Sequence, residues 1–463
     1  MFGQLKRLIA ACGILFFIVI LLLPSPEGLS IAGKNSFAVF VLCLSLWISQ
    51  MLPLSVTGLL GIALMPLLNI LGVEETFALF GNKAIFFILG ALILAAGIYQ
   101  TGLGTRIASK IIGTFGKSPR QLLVGILLSS GFLSCIMPEH AVAALLFPIV
   151  LEVATILELK PLESNYGKLL FFAMAWGAIV GGITTFLGGA RNLLAVGLLE
   201  KQYNISIGFF EWIKYSWPMP ALLLAIISFM MTKVFEIDIS NIDKADQELK
   251  KRLEKAGEMS IKEKKLSVVL FIVICSWLFL SQIIDISVIA ILGGVLTFVA
   301  GIVEWQDIED YINWSVLLMY GGAIVVATSL VKTGATEWLS EIFFAQLELS
   351  PFIFLVCLVI FTNLLTEGVS NVAAVAIVLP LAYSIGEAYS INPIIITLSV
   401  ALPGGLAFML PMGTPPNAIA FSSGFYRVQD AVKFGIMLDI IAWLVYILVA
   451  KFYWPLIGLQ ITL

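Results

Sequence analysis

Apolar residues run along this chain in blocks about as long as a bilayer is thick, and the polar residues between them fall at repeating positions. A helix needs about 20 mostly apolar residues to cross the hydrocarbon core. Four such stretches come first, near 8–24, 35–52, 54–73 and 82–101. The segment "TRIASKIIGTFGKSPR" (105–120) mixes apolar residues with Arg106, Lys110, Lys117 and Arg120, which predicts an amphipathic helix lying on the membrane surface. Apolar stretches resume at 121–158, 168–200 and 211–235, and a polar linker follows at 236–265. The plan then repeats: 266–283, 285–302 and 313–331, an amphipathic piece at 334–349, then 351–388, 393–424 and 429–457.

Basic residues mark the cytoplasmic side of a membrane protein. Lys6, Arg7, the 106–120 cluster and the linker residues Lys250, Lys251, Arg252 and Lys255 all fall inside if the N-terminus is cytoplasmic. The piece at 334–349 then falls outside, and it carries Glu337, Glu341 and Glu348 but no Lys or Arg. The basic, apolar start "MFGQLKRLIAACGILFFIVILLLP" has no clear small-residue cleavage site and reads as a first transmembrane helix.

The two halves share more than spacing. "PEHAVAALLFPI" (138–149) aligns with "SNVAAVAIVLPL" (370–381), placing Pro148 and Pro380 232 positions apart. "GGARN" (188–192) aligns with "GTPPN" (413–417), placing Asn192 and Asn417 225 positions apart. The first copy starts from a cytoplasmic flank and the second from an external one, which describes an inverted repeat. Broken helices at corresponding positions of two halves point to the binding site of a transporter. The stretches 121–158 and 351–388 fit either two spans with a surface turn or a re-entrant hairpin, since both return to one side.

Composition narrows the class. The chain is 60% hydrophobic and 12% charged, with mean hydropathy +1.05, which is an all-helical polytopic membrane protein. A net charge of −3 gives no reason to expect a nucleic-acid partner. The five cysteines lie in apolar runs without metal or redox spacing and read as small core residues. A membrane enzyme using Glu139 and His140 is disfavoured, because adjacent residues do not share a helix face. His140 is the only histidine, so no transition-metal site is expected, and no serine or cysteine motif marks a nucleophile. A transport-dead sensor is disfavoured too, because no receptor domain is recognisable.

"TEGVSNVAAVAIVLP" (366–380) and "AFMLPMGTPPNAIAFSSG" (407–424) closely resemble signature segments of the divalent anion:sodium symporter family. The resemblance covers nearly the whole chain. It implies about eleven transmembrane helices plus two re-entrant hairpins, a homodimer, and a transport domain that slides as an elevator. On that plan 1–104 are scaffold helices, 105–120 a surface helix and 121–235 the first half of the transport domain. Then come the cytoplasmic linker 236–265, further scaffold with an amphipathic helix at 266–349, and the second transport half at 350–463. Family members carry dicarboxylates, citrate or sulfate, commonly with sodium, and have a Ser-Asn-Thr tip on each hairpin and a Thr-Pro-Pro-Asn loop in each half. Carried over, Thr366, Asn371, Gly413, Thr414 and Asn417 form the second sodium site. Ser370, Asn371 and Pro416 face substrate, with His140, Arg191 and Asn192 opposite. The first half departs from the pattern: its tip is Pro138-Glu139-His140 and its loop Gly189-Ala190-Arg191-Asn192. The second tip ends in Val372 instead of threonine.

These departures carry the sharpest expectations. A lone charge at the bilayer centre costs at least about 2.5–3.5 kcal/mol, so Glu139 and Arg191 are expected to pair. The pair reads as a structural ion pair or as a built-in cation replacing the first sodium, and Arg191 is also suited to a bidentate grip on a substrate carboxylate. His140 reads as a neutral core residue, or as a substrate contact that adds proton linkage. Asp439 reads as a buried acid within the last span, or as a helix-start residue near the cytoplasmic surface beside Lys433, and Trp47, Trp212, Trp217 and Trp454 read as interfacial anchors. The leading reading is a secondary transporter of C4-dicarboxylates in a bacterial or archaeal cytoplasmic membrane, coupled to sodium through one retained site. The alternatives are a carrier of sulfate or another inorganic anion, and a sodium-independent dicarboxylate exchanger.

Overall fold

The computed structural model describes residues 2–115, 118–245, 247, 257–280, 283–336, 338 and 350–462. Lys117, Lys250, Lys251, Arg252, Lys255, Glu337, Glu341 and Glu348, with most of the piece at 334–349, lie outside the described residues. Regular structure among the described residues is helical, apart from one isolated bridge between Ile391 and Thr462.

The first half holds α1 (Phe2–Leu22), α2 (Ile31–Ser49), α3 (Leu54–Leu67), α4 (Val73–Phe80), α5 (Lys83–Thr101) and α6 (Leu103–Phe115). It continues with α7 (Pro119–Leu133), α8 (Glu139–Ile156), α9 (Asn165–Gly181), α10 (Ala190–Tyr203), α11 (Phe209–Ser216) and α12 (Pro218–Phe229). The second half holds α13 (Ile261–Phe279), α14 (Ile286–Val299), α15 (Trp305–Ile308), α16 (Trp314–Lys332), α17 (Pro351–Gly368) and α18 (Asn371–Ala388). It ends with α19 (Pro393–Ala401), α20 (Pro415–Ser422), α21 (Val428–Leu448) and α22 (Trp454–Leu456).

Among the described residues, seven helical segments are long and apolar enough to cross a membrane, or eight if the bent α11–α12 pair counts as one span. Four more apolar helices among the described residues, α3, α7, α14 and α19, are shorter than a full span, and irregular stretches at 182–189 and 402–414 interrupt two of the long apolar blocks. Within the amphipathic segment 105–120, residues up to Phe115 belong to α6, which buries Leu103, Ala108 and Ile112 and exposes Lys110, while Arg120 lies in α7.

Local chemistry sets the helix starts. Ser118 caps α7 by accepting from the Gln121 N–H, and Ser350 caps α17 by accepting from the Ile353 N–H. Each serine is followed by a proline in the first turn, where the missing N–H has no intrahelical partner to lose. These two Ser-Pro starts also stand 232 positions apart.

The packing interleaves the halves. α3 packs on α16 and α5 on α14, joining helices from before and after the linker. α20 packs on α8 and α9, while α10 packs on α18 and α19. Each helix that resumes after a break therefore rests on the helix pair of the opposite half, which brings both turns and both breaks to one place.

Candidate functional site

The two breaks are held open in the same way. Asn192 donates through Nδ2 to the carbonyls of Gly182 (3.0 Å) and Thr185 (2.8 Å). Asn417 donates through Nδ2 to the carbonyls of Ala407 (2.9 Å) and Leu410 (3.3 Å). In each case the amide reaches back ten and seven residues, so one side chain satisfies carbonyls that the helix has released. Thr414 adds a cap on α20, its hydroxyl accepting from the Asn417 N–H.

Glu139 opens α8 and Arg191 lies in the first turn of α10. Their side chains meet in a two-pronged ion pair, Nη1 to Oε1 at 3.0 Å and Nη2 to Oε2 at 3.1 Å. Side-chain exposure is 2% for Arg191 and 6% for Glu139, so each charge depends mainly on the other. The backbone reinforces the join, because Glu139 N–H donates to the Gly188 carbonyl (3.0 Å). Glycines leave room for the guanidinium. A Cβ on Gly405 would come within 2.1 Å of Arg191 Nε, and one on Gly189 within 2.7 Å of Nη1. Gly405 belongs to the break of the second half, so Arg191 reaches from one break to the other.

A polar chain continues from the ion pair into the second half. Asn371 Nδ2 donates to Glu139 Oε1 at 3.3 Å. Thr366 Oγ1 lies 2.9 Å from Asn371 Oδ1 and 3.0 Å from the Gly404 carbonyl oxygen. One hydroxyl hydrogen can serve only one of those two acceptors at a time. Three buried oxygens thus converge with a single proton among them, an arrangement suited to a small hard cation. Where the second half gathers oxygens, the first half places the Arg191 guanidinium.

Glu367, next to Thr366, was not singled out from the sequence. Its carboxylate accepts from the N–H groups of Met409 and Leu410, both at 2.8 Å, and pins the second break. An acid inside an apolar run was the available signal. Asp439 is the buried acid within the last span and not a helix-start residue: it lies within α21, well past that helix's start, and is 1% exposed, with Asn363 Nδ2 3.4 Å from its Oδ1. Asp430 is the acid of the first turn instead. The tryptophans are corrected as well. Trp47, Trp212 and Trp454 are buried, and their indole N–H groups donate to the Leu54, Ile183 and Tyr215 carbonyls; only Trp217 is exposed.

A cavity of about 530 Å³ opens between the two turns. Glu139, His140, Ser370, Asn371 and Val372 line it from the turns, and Arg191, Gly413, Thr414 and Pro415 from the breaks. Gln50, Asn313 and Ser315 close it from the opposite wall. His140 also borders a second cavity of about 590 Å³, lined by Tyr99, Asp310 and Tyr311. Of the residues expected at substrate, His140, Arg191, Ser370 and Asn371 reach the main cavity. Asn192 does not, because both its donor bonds hold the first break and it is fully buried. Pro416 is buried behind the wall, and the exposed Pro415 takes its place. Thr366 and Asn417 lie behind the lining, as residues that shape the second break.

The sodium:sulfate symporter transmembrane region model matches residues 4–460. A sodium-dependent dicarboxylate transporter, SdcS, of Staphylococcus saprophyticus is 29% identical over 494 residues, covering 99% of this chain and 93% of that protein. The SdcS of Staphylococcus aureus strain USA300 is 28% identical over 490 residues, with the same coverage. Two solved structures share the fold at low identity. Neisseria gonorrhoeae MtrF, described as illuminating a class of antimetabolite efflux pumps, has a TM-score of 0.59 at 12% identity, covering 97% of each chain. The Alcanivorax borkumensis YdaH transporter has a TM-score of 0.58 at 13% identity, covering 84% of this chain and 89% of its own.

Proposed function

This chain belongs to the sodium:sulfate symporter family and is an integral membrane transporter, not an enzyme; from that premise we propose that it carries small C4-dicarboxylates coupled to sodium at one site. The observation that carries this reading is the contrast between the halves: three oxygens share one proton at Thr366, Asn371 and Gly404, while Arg191 supplies a fixed positive charge beside Glu139. Sodium binds among the oxygens of Thr366, Asn371 and the 404–417 break, with Gly413, Thr414 and Asn417 shaping its wall. Arg191 does permanently what a first sodium would do, and presents positive charge to a substrate carboxylate. His140, Ser370 and Pro415 complete the substrate's surroundings, His140 offering a ring nitrogen to the second carboxylate.

The shared offsets of 232 and 225 residues support an inverted repeat with re-entrant hairpins at α7–α8 and α17–α18. On the family plan these hairpins with α9–α12 and α19–α22 form a transport unit. It slides against a scaffold of α1–α5 and α13–α16 within a homodimer, and the N-terminus is cytoplasmic. A second reading, sodium-independent exchange of dicarboxylates, is favoured by Arg191 alone, since a fixed cation leaves one site with nothing to release. Uptake of labelled succinate into proteoliposomes, with and without an inward sodium gradient, separates the two. Symport requires sodium-dependent uptake that Asn371→Ala abolishes; His140→Gln raises the succinate KM several-fold without removing the sodium requirement. Equal uptake in sodium-free buffer, driven only by internal dicarboxylate, refutes symport. Competition by sulfate in the same assay tests the inorganic-anion alternative.

A further inference from the structure

The polar chain across the site closes on itself. Arg191 grips Glu139, Glu139 accepts from Asn371, Asn371 meets Thr366, Thr366 meets the Gly404 carbonyl, and Gly405 lies against the Arg191 guanidinium. Within this ring Asn371 is the only member that can face either way, because an amide carries a donor at one end and an acceptor at the other. The ends are nearly identical in shape, so neighbouring groups decide which way it points. Glu139, ionised against Arg191, only accepts. The atom of Asn371 that faces Oε1 must therefore be Nδ2, and Oδ1 is left to face Thr366.

We infer that Glu139 is a positioning residue for the second-half cation site: its carboxylate fixes the Asn371 amide so that Oδ1, not Nδ2, joins the Thr366 hydroxyl and the Gly404 carbonyl. The inference rests on the proposed sodium site and adds a residue from the opposite half to it. The Glu139 carboxylate bonds to Arg191 and Asn371, and it acts on the second-half site through Asn371. The amide held this way spares the cation the work of turning it, and the opposite orientation would aim an N–H group at the cation. The ion pair consequently has two separable roles. Arg191 neutralises Glu139, and Glu139 orients Asn371.

Two variants separate those roles. In Arg191→Lys the Glu139 carboxylate keeps a counter-charge but loses the two-pronged grip, and its Oε1 still accepts from Asn371 Nδ2. That variant is destabilised, because the second charge-assisted bond is lost, but the Asn371 amide stays turned. In Glu139→Met with Arg191→Met no charge is stranded, and nothing orients Asn371. The measurement is the sodium concentration at half-maximal thermal stabilisation of the purified chain without substrate, which keeps any effect of Arg191 on substrate binding out of the result. The double methionine variant should fold and need about tenfold more sodium, the scale of one poorly presented charge-assisted contact. Arg191→Lys should melt lower yet keep a midpoint within about twofold of the unaltered chain, because both charges remain and the Asn371 amide stays turned. A double methionine variant with the unaltered midpoint overturns the inference, as does an Arg191→Lys midpoint shifted as far as the double variant's. If the unaltered chain shows neither stabilisation by sodium nor sodium-dependent uptake, the sodium site fails and the inference falls with it. A sodium response in the unaltered chain with the wrong order of variants sinks the positioning role alone.

Discussion

Replacing Arg191 by methionine should destabilise the protein far more than replacing both members of its ion pair. The structure supplies the terms. The pair is almost wholly out of contact with solvent, joined by two charge-assisted bonds of 3.0 and 3.1 Å. Arg191→Met leaves the Glu139 carboxylate with the Asn371 amide and no cation. Glu139→Met leaves a guanidinium with five donors and no acceptor, its Nε already without a hydrogen-bond partner. Stranding one buried charge typically costs about 3–5 kcal/mol, which is on the order of two to four powers of ten in the folding equilibrium. Two apolar replacements of similar volume are often neutral or stabilising by about 1–4 kcal/mol. The double-mutant cycle should therefore show the two substitutions offsetting each other by at least about 3 kcal/mol, with Glu139→Met the worse single variant. The assay is thermal and denaturant unfolding of the four purified proteins in one detergent. Additive costs, agreeing to within about 0.5 kcal/mol, would mean the charges are satisfied independently and would refute the reasoning.

Two further outcomes follow from close contacts elsewhere. Gly405→Ala puts a methyl group 2.1 Å from Arg191 Nε and should cost about 1–3 kcal/mol through overpacking; the same substitution in an Arg191→Met, Glu139→Met background should cost less, and an equal cost in both backgrounds on thermal melting would show that the guanidinium is not the obstacle. At the start of α13, before the apolar span, Glu263 is held below its ordinary carboxyl value by the Arg106 guanidinium, against partial burial and with help from Ser260. A lowered carboxyl contributes stability that is complete above the unfolded value of about 4.3 and disappears as pH falls through the folded value. Melting temperature should accordingly decline below about pH 4.3 more steeply in the unaltered chain than in Glu263→Gln, and parallel profiles would contradict the assignment.

How much of this was legible depended on which physical signal carried it. Apolar block length predicted a helical membrane protein, because a span must match the bilayer, and the mixed apolar and basic segment 105–120 predicted an amphipathic helix, of which α6 holds the residues up to Phe115. The Gly-rich breaks were legible as interruptions, but the partners of their backbone were not. At Gly182 and Ala407 the released carbonyls accept from the Asn192 and Asn417 side chains instead of from helix N–H groups. The tryptophans show the same limit. An indole is suited to a membrane interface and equally to closing a buried carbonyl, and only the tertiary neighbours decide. The helix-start reading of Asp439 rested on its distance from Lys433 along the chain, but α21 starts eleven residues before it and carries it into the interior.

The site was legible where two halves could be compared, and obscure where they could not. Aligning Pro148 with Pro380 put Glu139 opposite Asn371, and the structure joins those same two residues by a hydrogen bond across 232 positions. Aligning Asn192 with Asn417 found the two amides, but ranked both by their likeness to a ligand-binding motif. The structure shows that each spends its donor group on two backbone carbonyls. Conserving that backbone role leaves the neighbouring position free to differ, and it is there that the first half has Arg191 and the second has Pro416. A glutamate opposite an asparagine and an arginine opposite a proline are thus one change seen from two sides. Arg191 brings a fixed charge into the first break, Glu139 is required to balance it, and the same carboxylate then reaches Asn371 in the other half. Substituting the first half alone therefore cannot leave the second half's chemistry untouched.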